Sequence, residues 1–158
     1  MQADHPVRPD TVVEHLRGEF LCSTDPARLD LEVIHGFLTN SYWAKGISRE
    51  IVARSIEHSL CFGVYDGSGA QVSFARVISD FATYAYVADV FVLESHRGSG
   101  LGKLLMESIV KHPELQGLRR WNLTTRDAHT LYGQFGFTPL KFPERYMEIL
   151  RLNMYEAI

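Results

Sequence analysis

Residues 89–106 read DVFVLESHRGSGLGKLLM and give the strongest structural signal in the chain. Residues 87–93 are almost wholly apolar and rich in β-branched and aromatic side chains, a composition that predicts a buried central strand. A helix is predicted after them, because apolar residues recur at the spacing of one helical face at Leu101, Leu104, Leu105 and Ile109. The turn that joins strand and helix holds Arg97 and three glycines.

The glycine-rich turn has the chemistry of an anion-binding loop. Gly98, Gly100 and Gly102 carry no Cβ that would keep a ligand away from the backbone, and the first amides of a helix have no partners within it. The helix dipole adds partial positive charge at the same place. Arg97 adds a cation with a planar fork of donors. We therefore predict that this loop binds phosphate.

The spacing of the glycines excludes the two commonest nucleotide-binding loops. A Walker A loop needs two glycines five residues apart, whereas Gly98 and Gly102 are four apart, and it needs Ser or Thr after the lysine, where Leu104 stands. The dinucleotide pattern G-x-G-x-x-G requires glycine at position 103, which is lysine. The pattern that fits is R-x-x-G-x-G, from Arg97 to Gly102.

A second motif follows about thirty residues later. Residues 128–137 read AHTLYGQFGF, which is the pattern A-x-x-x-Y-x-x-x-G-F. It predicts a short helix that carries Tyr132, with Asp127 as its N-cap and Gly136 as its C-cap. With both motifs in this order, the chain resembles the GNAT superfamily of acyl-CoA-dependent N-acetyltransferases.

The resemblance implies a site for acetyl-CoA as the acetyl donor, with no metal. In that family the glycine loop carries the pyrophosphate of coenzyme A, and the backbone of the preceding strand pairs with the pantetheine arm. The matching positions are Phe91, Val92, Leu93, Arg97, Gly98, Ser99, Gly100, Leu101, Gly102 and Lys103. The family often places asparagine seven residues before the tyrosine as a further pantetheine contact, and this chain has Thr125 there.

Tyr132 is the candidate general acid, because the resemblance places this tyrosine beside the acetyl thioester. A phenol has a pKa of about 10 and a thiol about 8.5, so the phenol is protonated at neutral pH and can donate as a thiolate forms. By residue type alone, Tyr132 could instead be a half-buried aromatic that packs its helix onto the sheet.

Two further residues are candidates for handling the amine. Asp89 is the one charged residue between Asp80 and Glu94, in an otherwise apolar strand. A carboxylate there must be paired, hydrogen-bonded or facing a cavity, so Asp89 either takes a proton or binds the substrate ammonium, or it forms a structural salt bridge, for example with Arg76. His129, in the first turn of the tyrosine helix, is either a base or a surface histidine.

The acceptor pocket is expected between two early helices. In GNAT proteins the helices after the first strand usually wall this pocket, and Tyr42 and Trp43 lie in the loop between the first two predicted helices. The alternative for Trp43 is a core anchor. The acceptor is expected to be a small-molecule amine or a protein amine. If it faces the cavity, Asp89 favours a cationic acceptor such as a polyamine or aminoglycoside.

Composition bounds the remaining possibilities. The 158 residues, 46% hydrophobic and 22% charged, are expected to form one domain. A net charge of −3 without a basic run gives no support for nucleic-acid binding. Cys22 and Cys61 lack the number and spacing of a disulfide framework or a metal site. With neither a membrane span nor a signal peptide in the sequence, we expect a cytoplasmic protein.

The predicted fold class is α/β (an α+β mixed sheet) of GNAT-like type: a mixed, mostly antiparallel sheet with flanking helices and a parallel β-α-β crossover around the glycine loop. Predicted helices cover 31–39, with Asp30 as its N-cap, a stretch capped by Ser48, and 100–111, besides the tyrosine helix. Residues 1–15 are expected to be partly disordered. Strands are predicted at 19–23, 61–65, 71–78, 84–93, 120–124, 137–140 and 146–152.

The sequence therefore predicts an N-acetyltransferase that moves the acetyl group of acetyl-CoA to a primary amine by direct attack in a ternary complex. No Cys or Ser lies in a motif that suggests a covalent nucleophile. The alternative is a non-catalytic module that binds acyl-CoA for regulation. A homodimer is also considered, with the last predicted strand as a contributor.

Overall fold

The structure is a computed structural model that describes residues 9–156. It contains six strands and four α-helices in those residues. In chain order they are β1 (Glu14–Arg17), β2 (Phe20–Ser23), α1 (Leu31–Leu38), α2 (Arg49–Glu57), β3 (Leu60–Tyr65), β4 (Gln71–Ser79), β5 (Tyr84–Val92), α3 (Leu101–Val110), β6 (Arg120–Leu123) and α4 (His129–Gly133).

The six strands form one sheet in which each strand lies beside its neighbours in sequence. Strands β1 to β5 pair antiparallel, whereas β5 and β6 are parallel and are connected through α3. This confirms the predicted mixed sheet with one parallel crossover. The crossover places the start of α3, and with it the glycine loop, at the carboxyl end of β5, where ligands bind in open sheets.

Both faces of the sheet are covered. Strand β3 is buried over its whole length because its alternate side chains enter two different cores. Phe62 and Val64 pack with α3, and Cys61 packs with α1 and α2 on the opposite face. The second face also receives Phe74 and Phe91, so the strand that leads to the glycine loop is fixed by packing between α1 and the sheet.

Local capping chemistry decides where the helices begin. Asp30 accepts hydrogen bonds from the amides at the start of α1, and the Ser48 hydroxyl accepts one at the start of α2, as predicted. The predicted cap Asp127 is wrong: the Thr125 hydroxyl accepts the Ala128 amide at 3.0 Å and closes the turn before α4. The predicted C-cap Gly136 is also displaced: Gln134 caps α4, and Gly136 follows it in the turn with φ +94°.

The ends of the chain depart from the prediction. A strand at Glu14–Arg17 was missed, and it forms a hairpin with β2. Residues 137–140 and 146–152 were predicted as strands but pair with no strand in the described part of the chain, although their composition suits one. A strand is stable through its neighbours, which composition does not reveal. Residues 1–8 of the segment expected to be disordered lie outside the described residues.

Within residues 9–156, no helix combines the length and the apolar character needed to cross a membrane.

Candidate active site

A bulge in β5 shapes the centre of the sheet. Between two pairs of facing residues, Phe74 with Phe91 and Arg76 with Ala88, β5 contains one more residue than β4. The extra length is taken up at Asp89, which has φ +54°, a conformation that few residues other than glycine adopt. Strain of this kind persists where the surrounding structure holds it, so the contacts of Asp89 matter for the site.

Beyond the bulge, the two parallel strands separate. The pairing of β5 with β6 ends at Val87 and Leu123, and β5 continues toward the glycine loop paired with β4 only. The amide of Leu93 donates to the Val72 carbonyl on the β4 side at 2.9 Å. The backbone groups of the preceding residue, Val92, therefore point the other way, into the gap between the strands. This gap gives an extended ligand free backbone with which to pair.

The glycine loop closes one end of that gap. Gly98 and Gly100 have φ values of +82° and +77°, and a Cβ built on either would meet no atom within 4 Å, so the space beside them is open. Helix α3 has no side-chain cap and no acidic residue in its first turn. Among residues 9–156, the amides from Gly98 to Lys103 have no hydrogen-bond acceptor. These free donors at a helix N-terminus form a cradle for an anion.

Arg97 is exposed at the entrance to this cradle. Its Nε donates to the Val92 carbonyl at 3.3 Å, which ties the loop to the free edge of β5. The other guanidinium nitrogens are left for a ligand. Lys103, in the first turn of α3, is also exposed and adds a second positive charge. The predicted phosphate-binding residues therefore lie together at one end of the gap.

Gly102 has a different role from the other two glycines. A Cβ on Gly102 would lie 3.3 Å from Cδ2 of Leu131, on the tyrosine helix. The missing side chain lets α3 and α4 pack closely, as their shared core shows. Gly102 thereby brings Tyr132 toward the loop.

Tyr132 is buried, with 8% of its surface exposed, and its ring packs edge-on against Phe137. Its hydroxyl has no hydrogen-bond partner among the described residues. Burial, reinforced by nearby Tyr42 and Asp127, raises the pKa of Tyr132 to about 12. The phenol is therefore a hydrogen-bond donor throughout the physiological pH range.

Asp89 is held by two partners. Its Oδ2 accepts from Arg76 Nε at 2.8 Å, and its Oδ1 accepts from Trp43 Nε1 at 3.0 Å. The side chains of Asp89 and Arg76 are 12% and 16% exposed, and Arg76 also donates to the Ser59 hydroxyl at 3.1 Å. The ion pair with Arg76 that the sequence left open is therefore formed, and each carboxylate oxygen has a partner.

The loop between α1 and α2 places two aromatic rings beside the site. Tyr42 and Trp43 are 53% and 41% exposed and meet edge to face at 5.0 Å, so Trp43 is not a core anchor. The guanidinium of Arg126 stacks on the Tyr42 ring at 3.9 Å. Sequence reasoning missed Arg126, because no motif or spacing marks it.

The remaining predicted residues lie at the edge of this arrangement. His129 is the first residue of α4 and is exposed, one turn before Tyr132. The Thr125 hydroxyl accepts the Ala128 amide in the turn before α4. In the described part of the chain, no group of three or more His, Cys, Asp or Glu side chains could hold a metal ion.

Comparison with known proteins agrees with this geometry. Residues 57–139 match the sequence profile described as the Acetyltransferase (GNAT) domain. A Gibberella zeae protein with a provisional acetyltransferase name is 32% identical over 140 residues, which cover 75% of this chain and 78% of that protein. A Xanthomonas campestris crystal structure, assigned to the GNAT family, has 51% identity and a TM-score of 0.85, covering 87% of this chain and 97% of that one.

A more distant structure shares the fold alone. It is an acetyltransferase from Clostridium acetobutylicum, described with acetyl-CoA, and it has 12% identity and a TM-score of 0.57 over 77% of this chain and 92% of that one.

Proposed function

The chain belongs to the GNAT family of acetyltransferases, and from this premise we propose that it moves the acetyl group of acetyl-CoA to a primary amine by direct attack in a ternary complex. The observation that carries the proposal is the row of free amides from Gly98 to Lys103 next to the unpaired edge of β5. The free amides suit a phosphate group, and the unpaired edge of β5 suits an extended chain. Coenzyme A contains both, as its pyrophosphate and its pantetheine arm.

Coenzyme A fits the residues present. The open space beside Gly98 and Gly100 admits a pyrophosphate to the free amides, and Arg97 and Lys103 add positive charge. The Val92 amide faces the gap and is available to the pantetheine arm, whereas the Val92 carbonyl accepts from Arg97. When bound, acetyl-CoA supplies an activated acetyl thioester, and the protein holds it between the two strands.

In this proposal Tyr132 gives a proton to the departing sulfur. Its raised pKa makes full transfer to a free thiolate uphill, so the hydroxyl donates as the carbon–sulfur bond breaks rather than after it. The bond from nitrogen to the acetyl carbon forms, and the proton that the nitrogen loses balances the one received by sulfur. His129, exposed one turn before Tyr132, is the candidate carrier for that proton.

Asp89 acts in this proposal as a positioning residue. Because Arg76 neutralises its charge and Trp43 occupies its other oxygen, the carboxylate is a poor binding site for a cationic amine. Arg126 stacks on Tyr42 of the acceptor loop and has no ion-pair partner among residues 9–156. An acceptor amine that also carries a carboxylate or phosphate therefore suits the pocket better than a polyamine.

Calorimetric titration with acetyl-CoA tests the core of this proposal. Wild-type protein should bind acetyl-CoA and desulfo-CoA and should not bind ATP. Gly100→Ala should weaken binding by roughly tenfold or more, because its Cβ fills the open cradle and strains a positive φ. Gly69→Ala is the matched control, since Gly69 also has positive φ and open space but lies in the distant β3–β4 turn.

Turnover then separates an enzyme from a binding module. Release of free thiol from acetyl-CoA with a panel of amines supports the enzyme, and matched amines with and without an anionic group test the preference attributed to Arg126. Tight binding of acetyl-CoA without turnover of any amine supports the non-catalytic regulatory alternative. Failure to bind acetyl-CoA contradicts both.

A further inference from the structure

The contact between Tyr42 and Arg126 joins a loop that rests on β5 to the turn that follows β6. Tyr42 lies in the acceptor loop, residues 39–48 between α1 and α2, and Arg126 lies between β6 and α4. The guanidinium carbon of Arg126 is 3.9 Å from the centre of the Tyr42 ring. Tyr42 is also close enough to Tyr132 for the two side chains to interact electrostatically. The contact therefore lies beside the proposed general acid.

The stacked arrangement leaves the donors of Arg126 free. At 3.9 Å the face of the guanidinium meets the Tyr42 ring, whereas its N–H groups lie in the guanidinium plane and point outward from its edge. Among residues 9–156, Arg126 makes no hydrogen bond and no ion pair. The ring thus fixes the guanidinium and keeps its planar fork of donors available to an anion.

Both sides of this contact are held by the fold. On the acceptor loop, Trp43 Nε1 donates to Asp89 Oδ1 in the bulge of β5 at 3.0 Å. On the other side, the hydroxyls of Tyr86 and Thr124 share a hydrogen bond at 3.0 Å, and Thr125 closes the turn that presents Arg126. Side chains that are already held in place lose little further freedom when a ligand binds.

We propose that Tyr42 and Arg126 form a carboxylate clamp, in which the Tyr42 ring positions the Arg126 guanidinium and the guanidinium binds a carboxylate of the acceptor amine. This inference rests on the proposed function and narrows its acceptor to amines that carry one carboxylate, as amino acids do. A planar carboxylate matches two parallel N–H groups of a guanidinium. A phosphate dianion suits the clamp less well, because Arg126 is a single cation and Asp127 places a negative charge next to it.

The two members of the clamp contribute by different amounts. A hydrogen-bonded pair of opposite charges changes an equilibrium roughly tenfold or more. A cation–π contact at an exposed site changes it roughly two- to fivefold. Loss of Arg126 should therefore reduce the preference for a carboxylate more than loss of the Tyr42 ring.

Steady-state kinetics with matched acceptors test the role of Arg126. A panel of amino acids, each paired with its amide, varies the carboxylate and keeps the amine. Comparing the kcat/KM ratio of each pair between the wild type and a variant cancels the intrinsic reactivity of the two amines. Arg126→Gln should lower this ratio roughly tenfold or more, through the KM for the amino acid rather than the KM for acetyl-CoA.

A second pair of acceptors distinguishes a carboxylate from a phosphate. Phosphoethanolamine and ethanolamine differ in the phosphate alone. If phosphoethanolamine is preferred more strongly than any amino acid, and Arg126→Gln removes that preference, Arg126 binds phosphate and the assignment to carboxylates is overturned.

Tyr42 is tested as a positioning residue by two substitutions. Tyr42→Phe keeps the ring and should retain most of the preference for a carboxylate. Tyr42→Leu removes the ring face and should lower the ratio roughly two- to fivefold. Arg145→Gln is the matched control for Arg126→Gln, because Arg145 also lies over a ring, that of Phe142, at 3.8 Å, and it should keep the wild-type ratio. A wild-type ratio in Arg126→Gln or in Tyr42→Leu would overturn the clamp.

Binding measured without turnover separates the clamp from the proposed function. The chain has two tryptophans, so Trp121→Phe leaves Trp43 alone, with its ring 5.0 Å from that of Tyr42. With coenzyme A present, N-acetylated non-aromatic amino acids should change the Trp43 emission at concentrations roughly tenfold or more below those of their amides. The added Arg126→Gln substitution should remove this difference.

The two measurements together identify which proposal fails. An Arg126-dependent change in emission without turnover of any amine supports the clamp and contradicts acetyl transfer. Turnover of amines without a carboxylate preference contradicts the clamp alone. The clamp is also overturned if carboxylates and amides change the Trp43 emission equally, or if neither changes it.

Discussion

At the scale of single residues, Tyr132 is the side chain on which the proposed chemistry depends. Tyr132→Phe removes the hydroxyl and keeps the ring that packs on Phe137. We expect kcat to fall by roughly 10²–10⁴ while the KM for acetyl-CoA changes little, because general acid catalysis acts on the breaking bond. Steady-state kinetics across pH check this.

The matched control for that substitution is Tyr65→Phe. The Tyr65 hydroxyl is buried and has no hydrogen-bond partner, and burial raises its pKa far above the usual value. Removing an unsatisfied buried hydroxyl should leave kcat unchanged and stabilise the fold by about 1 kcal/mol. Wild-type turnover in Tyr132→Phe would remove Tyr132 from the mechanism.

Asp89 should behave as a positioning residue. Asp89→Asn keeps the shape and an acceptor for Trp43 but leaves the Arg76 charge unpaired in a mostly buried place. We expect lower stability by about 3 kcal/mol and a reduced kcat whose pH profile keeps the wild-type form. If Asp89 is instead the base, the ascending limb of the profile in Asp89→Asn should be lost, which would contradict the positioning role.

The two motifs predicted the glycine loop and the helix that carries Tyr132, because each depends on a few residue types at a fixed spacing within a short stretch of sequence. The sequence could not predict the positive φ of Asp89, since that depends on a register shift between two strands. Arg126 was missed for a similar reason. Its contact is with Tyr42, more than eighty positions away, and tertiary structure alone brings the two together.

At the scale of elements, N-capping was the most predictable feature, and it can be tested with a matched pair. Asp30→Ala should destabilise the protein by about 1 kcal/mol, because Asp30 accepts from the amides of Glu32 and Val33. Asp127→Ala should cost almost nothing, since Thr125 closes the turn before α4. Urea unfolding measures both, and equal losses would contradict this assignment of caps.

Strands at the chain ends were less predictable than caps. An N-cap side chain accepts from amides only two or three residues further along the chain, so local sequence predicts it. A strand needs a neighbouring strand, which local sequence does not identify. The missed strand β1 reads EHLR and is exposed along its length, so it gives no apolar alternation. The predicted strand at 146–152 has the right composition, but it pairs with no strand in the described part of the chain.

At the scale of the whole molecule, the fold class followed from the order of strong elements around one crossover. The central strands and α3 are marked by burial, which leaves a clear apolar pattern in the sequence.

Burial also places a titratable group in the core, and this gives the free energy of unfolding a predictable pH dependence. His112 is 1% exposed and packs edge-on against Phe62. Its Nδ1 accepts the Glu114 amide, and its Nε2 has no partner in the described residues.

Burial lowers the pKa of His112, an effect that Glu114 opposes and His15 reinforces. The folded protein therefore keeps His112 neutral below the pH at which the unfolded chain takes up a proton, about 6.5. Above that pH the two states bind the same number of protons at this site. As the pH falls below about 6.5 the unfolded state gains a proton first, so the free energy of unfolding decreases until the lowered pKa is reached.

Urea unfolding at pH 7.5, 6.5 and 5.5 should therefore show a decreasing free energy of unfolding at the acid end. His112→Asn keeps an acceptor for the Glu114 amide and cannot be protonated there. Its stability at pH 7.5 should be lower because the Phe62 contact is lost, but its decrease toward pH 5.5 should be smaller than in the wild type. His58→Asn, at an exposed position, is the control and should keep the wild-type slope. If His112→Asn and the wild type lose stability equally with acid, His112 is not the group that titrates.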